Sequence, residues 1–462
     1  MSIPVTANPP VPDGEATKIT PALLGATMVG ALGGLLFGFD TAVISGCQEQ
    51  LQQIFALTNN EQGFMTASAL IGATIGSLAA AKPGDRWGRR DSLKVAAAFY
   101  LLCAIGCAFA NGLWMMVFAR ILGGLAVGFT SVLCPMYLAE IAPASWRGRL
   151  VACFQVNIVI GVLVAYLSNL VIGKMDLGDA EWRWKLGVQA LPSLVFLVML
   201  FAIPRSPRWL MMKGREKEAS EVLGKIGVTD IPGQLNAIRE SIHSESGGGS
   251  VRLFTRAYAK PVFLAIAVAM FNQLGGINAL WYYADPIFKM AGFDKEQSAV
   301  QSFLLSVVNL VATLVGMAVI DKVGRKPLLI WGTVGCGLGL AMVTWIFAGG
   351  GSGSMLFWLL GAFVICHAFG QGAVIWVFIS EIFPTEVRSK GQTLGSFTHW
   401  FMAIVTTWGF KLVARDMGEP LAWLPFAFFA SMMVVQLVVV GRYFPETKRV
   451  ALEEMDKKLQ EN

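Results

Sequence analysis

The stretch Asp85-Arg-Trp-Gly-Arg-Arg90 recurs 236 residues later as Asp321-Lys-Val-Gly-Arg-Lys326. Two further motif pairs share an offset of 241 residues: Glu140–Arg147 with Glu381–Arg388, and Pro204–Arg208 with Pro445–Lys448. Three pairs at nearly constant offsets indicate a chain built from a duplicated unit of six helices. Parallel duplicated halves are typical of transporters, which bind their substrate at the midplane between the halves.

The composition between these motifs is that of a membrane protein. Of the 462 residues, 55% are hydrophobic and 14% are charged, whereas a soluble domain carries roughly 25% charged residues. The charges form clusters separated by uncharged stretches: 95–119, 150–173, 186–204, 261–284, 297–320, 391–410 and 420–441. A spanning helix needs roughly 20 apolar residues, so we expect about twelve spans. The stretches do not alternate polar and apolar residues as barrel strands do, which predicts an all-α membrane protein.

The distribution of Lys and Arg predicts the topology. The connections that follow even-numbered spans are basic, at residues 82–90, 147–149, 205–217, 322–326 and 388–390. By the positive-inside rule, both termini are expected in the cytoplasm. The net charge of +6 is therefore interpreted as a topology signal, and no nucleic-acid partner is expected. No cleavable signal peptide is recognised in the first 18 residues, and the lack of an Asn-X-Ser/Thr sequon favours a bacterial inner membrane.

The domain organisation follows from the repeat and from the charged segment between its copies. That segment contains an apolar stripe, Leu235, Ile238 and Ile242, at helical spacing. We therefore expect short cytoplasmic helices beneath the bundle. The predicted segments are a cytoplasmic N-terminal tail (1–18), an N-terminal six-helix half (19–204), cytoplasmic linker helices (205–258), a C-terminal six-helix half (259–444) and a cytoplasmic C-terminal tail (445–462).

The motifs resemble those of the sugar porter family of the major facilitator superfamily over nearly the whole chain. Arg120–Gly128, followed by Pro135–Glu140 and Arg147-Gly148, is similar to the family's sugar-transporter signature. The resemblance implies a twelve-helix major facilitator fold, a small-molecule sugar substrate and no enzymatic activity. The sequence departs from the family at Arg205, where Glu is usual, and at Arg449 and Ala81, where Gly is usual.

A carboxylate inside the first span is the candidate for proton coupling. Asp40 follows an apolar run, and a lone carboxylate at that depth costs roughly 2.5–3.5 kcal/mol on insertion scales. A carboxylate at the edge of a water-filled cavity changes its proton affinity as its surroundings alternate between wet and dry. Arg120 in the fourth span is the expected partner, and the resemblance implies that the pair couples protons to sugar. The alternative is a fixed ion pair or an end-of-helix charge.

The seventh span has the composition of a sugar site. Sugars present many hydroxyl groups, and neutral amides donate and accept hydrogen bonds at once. Phe271–Asn278 and Trp281–Tyr283 supply three amides and several aromatic rings in an otherwise apolar helix. The alternative is that these amides join helices to one another.

The resemblance extends the sugar site to other spans. It implies eleven substrate-binding residues: Phe37, Gln155, Asn272, Gln273, Asn278, Tyr282, Asn309, Gly372, Trp376, His399 and Trp400. Asn272 stands where the family has Gln, and His399 stands where relatives carry Asn or Gln. A buried His is either a neutral hydrogen-bonding group or a second titratable group at the site.

The repeated loop motifs predict a cytoplasmic latch of charged residues: Asp85, Arg86, Arg89, Glu140, Arg147, Asp321, Arg325, Glu381 and Arg388. The alternative is a set of surface salt bridges, each contributing ~0–1 kcal/mol. The resemblance implies instead that the latch joins helices on the cytoplasmic side and stabilises the outward-open state.

Together these patterns predict sugar–proton symport by alternating access in a monomer embedded in the lipid bilayer. A facilitative uniporter with a merely structural Asp40 is the first alternative, and a nutrient sensor with a transporter fold is a remote one. No cofactor or metal is expected, because the seven Cys are scattered and Cys103 and Cys107 have no His partner nearby. Hexose, pentose and polyol remain open as substrates.

Overall fold

The computed structural model describes residues 20–142, 147–247, 252–384, 387–414 and 419–448, and the regular structure of these parts is helical. The all-α prediction is therefore confirmed. Twelve long helices, numbered α1–α12, run along the chain: Pro21–Val43, Asn59–Ala79, Arg89–Ala108, Leu113–Ile141, Arg147–Gly173, Gly178–Ala202, Arg256–Met290, Lys295–Val323, Arg325–Trp345, Gly353–Glu381, Arg388–Val413 and Leu424–Tyr443. Three short helices connect the halves: Pro207–Met212, Glu216–Lys225 and Ile231–Gly247.

Two of the twelve helices are less apolar than the length rule suggests. Among the described residues, ten helices are long and apolar enough to cross a membrane by length and composition, and α2 and α11 are not among them. These two helices pack along each other across the two halves. At that interface Asn60 of α2 accepts a hydrogen bond from the Trp408 indole of α11 at 3.0 Å. Part of their lower hydropathy thus belongs to polar side chains that meet at the boundary between the halves.

Glycine allows the helices that carry the site to approach closely. A Cβ atom added at Gly38 of α1 would lie 1.8 Å from the carbonyl oxygen of Ile158 in α5, and one at Gly161 would lie 2.0 Å from that of Leu35. Small residues permit such backbone contact within a membrane. This crossing fixes the depth of Phe37 and Asp40, which flank Gly38 in α1.

The seventh helix is broken at the level of its amides. Its segments, Ala259–Leu274 and Ile277–Met290, are joined at Gly276, whose φ of +82° lies in the left-handed region that suits glycine. A second irregularity lies at Tyr283, with φ −129° and ψ 23°, shortly before Pro286. Non-helical backbone at membrane depth is tolerated where it is buried in protein or lines a cavity.

The two halves are joined by side chains at the end of the bundle that carries the connections after odd-numbered helices. We call these contacts the seam. Its pairs are Ser45 with the Asp285 amide, Gln48 with the Tyr282 carbonyl, Glu49 with Lys289, Gln52 with Lys411, Asn60 with Trp408, Tyr166 with the Trp281 carbonyl, Lys174 with Glu296, and Glu181 with Lys295. The charge distribution predicts that this end is extracellular.

Candidate functional site

The structure brings the expected proton pair together inside the N-terminal half. Asp40 of α1 and Arg120 of α4 are each 1% exposed. One guanidinium nitrogen, Nη1, lies 3.5 Å from the Asp40 carboxylate and 3.4 Å from its backbone carbonyl oxygen. Two buried charges compensate each other's loss of hydration only when they are adjacent. Asp40 and Arg120 are close enough to do so.

The pair is loosely held. A saturated Arg–carboxylate pair is bidentate, at about 2.7–2.9 Å, whereas Arg120 reaches the Asp40 carboxylate with one nitrogen at 3.5 Å. Its Nε and Nη2 atoms are buried without a hydrogen-bond partner in the described structure. Gln189 of α6 also approaches the Asp40 carboxylate, at 3.5 Å. The sequence analysis did not identify Gln189, although an amide in an apolar span marks a candidate site residue.

Tyr282 connects this pair to the seventh helix. The Tyr282 side chain is 2% exposed and interacts with Arg120 and with Thr41 of α1. Tyr282 lies in the second segment of α7, beyond the break at Gly276. The buried pair is therefore in direct interaction, through Tyr282, with the helix that carries the amides.

Gln273 is the centre of the amide cluster. Its Nε2 donates to Asn272 Oδ1 at 2.9 Å and lies 3.1 Å from His399 Nδ1, while its Oε1 accepts from Asn278 Nδ2 at 2.8 Å. Because an amide NH2 only donates, a ring nitrogen of His399 must accept, and only a neutral imidazole can do so. The break in α7 puts Asn272 and Asn278 on opposite sides of Gln273, which positions this side chain from three directions.

Aromatic rings extend from the amide cluster to the N-terminal half. The His399 ring of α11 lies 5.1 Å from Trp376 of α10 and 5.2 Å from Trp400, to which it is perpendicular. Trp400 in turn lies 5.6 Å from Phe37 of α1. Trp376 is 38% exposed although it lies inside a spanning helix. Flat ring faces of this kind pack against the C–H faces of a sugar.

Three other predicted site residues are half-buried. Gln155 of α5 and Asn309 of α8 have no side-chain hydrogen bond within the described residues, so their amides are available to a ligand. Gly372 ends the irregular turn Ala368–Gly372 of α10, where the lack of a side chain exposes backbone. Next to it, Gln371 is buried and donates to Gln436 of α12 at 2.8 Å, a contact that sequence reasoning did not anticipate.

The latch motifs form the same network in each half. In the N-terminal half, Arg89 Nε donates to Glu140 at 3.0 Å, and Arg89 Nη1 contacts Asp85 at 2.8 Å. In the C-terminal half, Arg325 donates to Glu381 through two nitrogens, at 2.8 and 3.2 Å. The motif that is repeated in the sequence therefore forms an Arg–Glu contact in each half of the structure.

A hydroxyl group completes each network. Ser206 donates to Glu140 at 2.5 Å, and Thr447, which stands 241 residues later, donates to Glu381 at 2.6 Å. Sequence reasoning did not include either hydroxyl, although both belong to the third repeated motif. The observed latch contacts lie within one half, so stabilisation of an outward-open state stays a prediction.

The two halves differ at the position of Glu446, which corresponds to Arg205 in the first half. Glu446 accepts hydrogen bonds from the backbone N–H groups of Arg325 and Lys326 at 3.0 Å and caps the start of α9. Partial burial raises the pKa of this carboxyl, but the N–H groups that donate to it lower it by more, so its pKa lies below the ordinary value. The equivalent residue of the first half, Arg205, instead pairs with Asp91 at 3.0 Å.

Four predicted latch residues are not placed in these networks. Arg86 is exposed beside its loop, and the Arg388 Nε donates to the Phe383 carbonyl oxygen at 3.4 Å. The side chains of Arg147 and Asp321 lie outside the described residues. The helices α5 and α8 nevertheless begin and end near them, at Arg147 and Val323.

Glu381→Gln is expected to lower the stability of the purified protein by about 1–3 kcal/mol, because it replaces a charged two-nitrogen contact with a neutral amide. Glu140→Gln should have a similar effect, since the same network recurs there. Thermal unfolding in detergent measures both variants. The exposed Glu419→Gln is the matched control and should unfold like wild type. Wild-type unfolding of Glu381→Gln and Glu140→Gln would show that the latch contributes no more than a surface salt bridge.

Comparison with known proteins gives consistent matches. The family model described as "Sugar (and other) transporter" matches residues 26–459. The D-xylose-proton symporter of Escherichia coli K12 is 33% identical, covering 94% of this chain and 95% of that protein. The arabinose-proton symporter of the same organism is also 33% identical, covering 94% and 92%.

Solved structures show the same fold. The inward-open xylose transporter of E. coli superposes with a TM-score of 0.84 at 32% identity, covering 94% of this chain and 99% of that one. The xylose symporter bound to 6-bromo-6-deoxy-D-glucose gives a TM-score of 0.78 at 32% identity, covering 95% and 99%. The chain thus fits the inward-open form better than the sugar-bound form.

Proposed function

Because the chain belongs to the sugar porter family of the major facilitator superfamily, we propose that it transports a monosaccharide or related polyol together with a proton by alternating access. The observation that carries this proposal is the buried, loosely paired Asp40, whose partner Arg120 interacts with Tyr282 on the same segment of α7 as Asn278 of the amide cluster. The relatives named above are pentose–proton symporters, which supports the same reaction class here.

The cycle follows from the geometry. With the halves open to the outside, Asp40 takes a proton, and the sugar binds between the amides of α7 and the rings of α10 and α11. Closing the seam then buries the site from the outside. The inward-open likeness and the closed seam support the view that this structure is the state that releases sugar and proton inside.

The location of the site explains why both halves are needed. Asp40 and Arg120 lie in the N-terminal half, whereas most of the sugar contacts lie in the C-terminal half. Since a single chain supplies both, we expect the monomer to be the functional unit. We also propose that both termini and the linker helices of residues 205–258 face the cytoplasm of the bacterial cell, as the basic connections predict.

The test is uptake into proteoliposomes with an imposed pH gradient, alkaline inside. We expect sugar to accumulate above the external concentration and to leak back to equality when a protonophore is added. A thermal-shift screen of pentoses, hexoses and polyols selects the sugar, because a ligand stabilises the state it binds. Equal uptake with and without the gradient would identify a facilitator instead.

A further inference from the structure

A second carboxylate of the seventh helix lies in the seam and has no role in the cycle described so far. Asp285 follows the irregular backbone at Tyr283 by two residues and is 7% exposed. Its backbone N–H donates to the Ser45 hydroxyl of the other half at 3.1 Å. Its Oδ1 atom is buried and has no hydrogen-bond partner among the described residues.

The lysines near Asp285 form their ion pairs with other carboxylates. Lys185 contacts Glu181 at 2.5 Å, and Lys289 contacts Glu49. Glu181 also accepts from Lys295 at 2.6 Å, so the ion pairs of these three lysines in the described structure are with carboxylates other than Asp285.

The other groups that face Asp285 supply no charge to balance it. They are the hydroxyl groups of Tyr166 on α5 and Ser302 on α8 and the thiol of Cys47, next to the end of α1. An ionised Asp285 would therefore be a buried charge without a contacting cation among the described residues while the seam is closed. Such a site favours the neutral carboxyl group.

Opening the seam reverses this preference. Separation of the halves breaks the contacts of Ser45 and Gln48 with α7 and admits water to Asp285. A hydrated carboxylate ionises readily at neutral pH. Protonation therefore favours the closed seam, and loss of the proton favours the open one.

We propose that Asp285 is a second proton-binding site, whose protonation from the extracellular side closes the seam. This inference rests on the proposed alternating access. The proton at Asp285 enters and leaves on the same side, so it moves no charge across the membrane, whereas the proton at Asp40 is transported. Asp285 thereby makes seam closure depend on external pH without changing the number of protons per sugar.

The expected pH dependence has a defined size and sign. Because one proton binds the closed state more tightly than the open one, the closed-to-open ratio rises as pH falls. A single group changes this ratio by at most about tenfold per pH unit.

The experiment measures the distance between nitroxide labels on the two halves in lipid nanodiscs. Labels at Asp179 and Ser354 lie on exposed connections at the seam end of opposite halves. Cys153 and Cys366 are changed to Ala, because the other five native thiols are buried. An Asp40→Asn background removes the titration of the transported site, so the result does not depend on coupled transport.

In this background we expect the short-distance population to grow as the pH falls from about 8 to about 5. Asp285→Asn should keep the seam closed at every pH, and Asp285→Glu should restore the dependence. The control Asp294→Asn keeps a helix cap at an exposed position of the same half and should behave like the background. The proposal is overturned if Asp285→Asn keeps the full pH dependence or if the background shows none.

A transport assay separates this proposal from the proposed function. With Asp40 intact, Asp285→Asn should still accumulate sugar to the wild-type ratio, and its initial uptake rate should depend less steeply on external pH than that of wild type, because only Asp40 then takes up an external proton. Absence of accumulation by wild type would refute symport. Loss of accumulation by Asp285→Asn, with wild type active, would refute the separate role of Asp285.

Discussion

Asp40→Asn is expected to abolish uphill sugar accumulation while the protein continues to exchange sugar across the membrane. With one proton per sugar, a gradient of one pH unit supports about a tenfold sugar gradient, and the variant should fall to equal concentrations on both sides. The reason is that Asn cannot bind and release a proton, yet it fits the buried space beside Arg120 and leaves the sugar contacts unchanged.

Two measurements in proteoliposomes check this prediction. Accumulation is followed under an imposed pH gradient, and exchange is followed with labelled sugar at equal concentrations and no gradient. Cys103→Ala is the matched control, because its Sγ atom lies 3.9 Å from the same carboxylate and the change leaves Asp40 able to titrate. Accumulation that survives in Asp40→Asn would favour the uniporter, with the Asp40–Arg120 contact serving as a fixed ion pair.

Gln273→Leu is expected to weaken sugar binding by roughly 30- to 100-fold. Leu has a similar size but cannot form hydrogen bonds, so Asn272, Asn278 and His399 lose their common partner together with any hydroxyl that Gln273 binds. Each unsatisfied buried group costs about 1–3 kcal/mol, and about 1.4 kcal/mol corresponds to tenfold in affinity. Calorimetric titration with the sugar found in the screen measures the change.

The control for Gln273 is a buried amide outside the cluster. Gln371→Leu removes the bond to Gln436 and should lower the melting temperature, while the affinity for sugar stays within about twofold of wild type, because that bond points away from the cluster toward α12. If Gln273→Leu bound sugar as tightly as wild type, the amides of α7 would be joining helices rather than contacting substrate.

The repeat explains why so much was predictable without coordinates. The offsets identified Arg89, Glu140, Arg325 and Glu381 as members of repeated motifs. The structure pairs the first two, and likewise the last two, within 3.2 Å. Local patterns of charge and hydropathy carry this information, because a helix in lipid must be apolar along its length and its connections must hold the charges. The same logic places Asp40 and the α7 amides inside spans.

Contacts between distant segments were not predictable in the same way. Gln189 approaches Asp40, and Ser206 completes the network of Glu140, but an amide in an apolar span or a hydroxyl in a repeated motif does not by itself identify its partner. Asp285 lies in a helix already assigned to sugar binding, and its isolation from Lys185 and Lys289 depends on which carboxylates those lysines contact. The reduced hydropathy of α2 and α11 likewise becomes intelligible only when the two helices are seen side by side.

The sequence by itself determined the all-α membrane fold and the duplicated halves with their paired motifs, because these follow from composition and periodicity along one chain. The tertiary structure alone decided which polar groups meet. It placed Arg120 beside Asp40 at a loose 3.5 Å, gathered Asn272, Asn278 and His399 around Gln273, and closed the seam over Asp285. The physical reason is that hydration and charge compensation depend on neighbours in space, which a linear pattern does not specify.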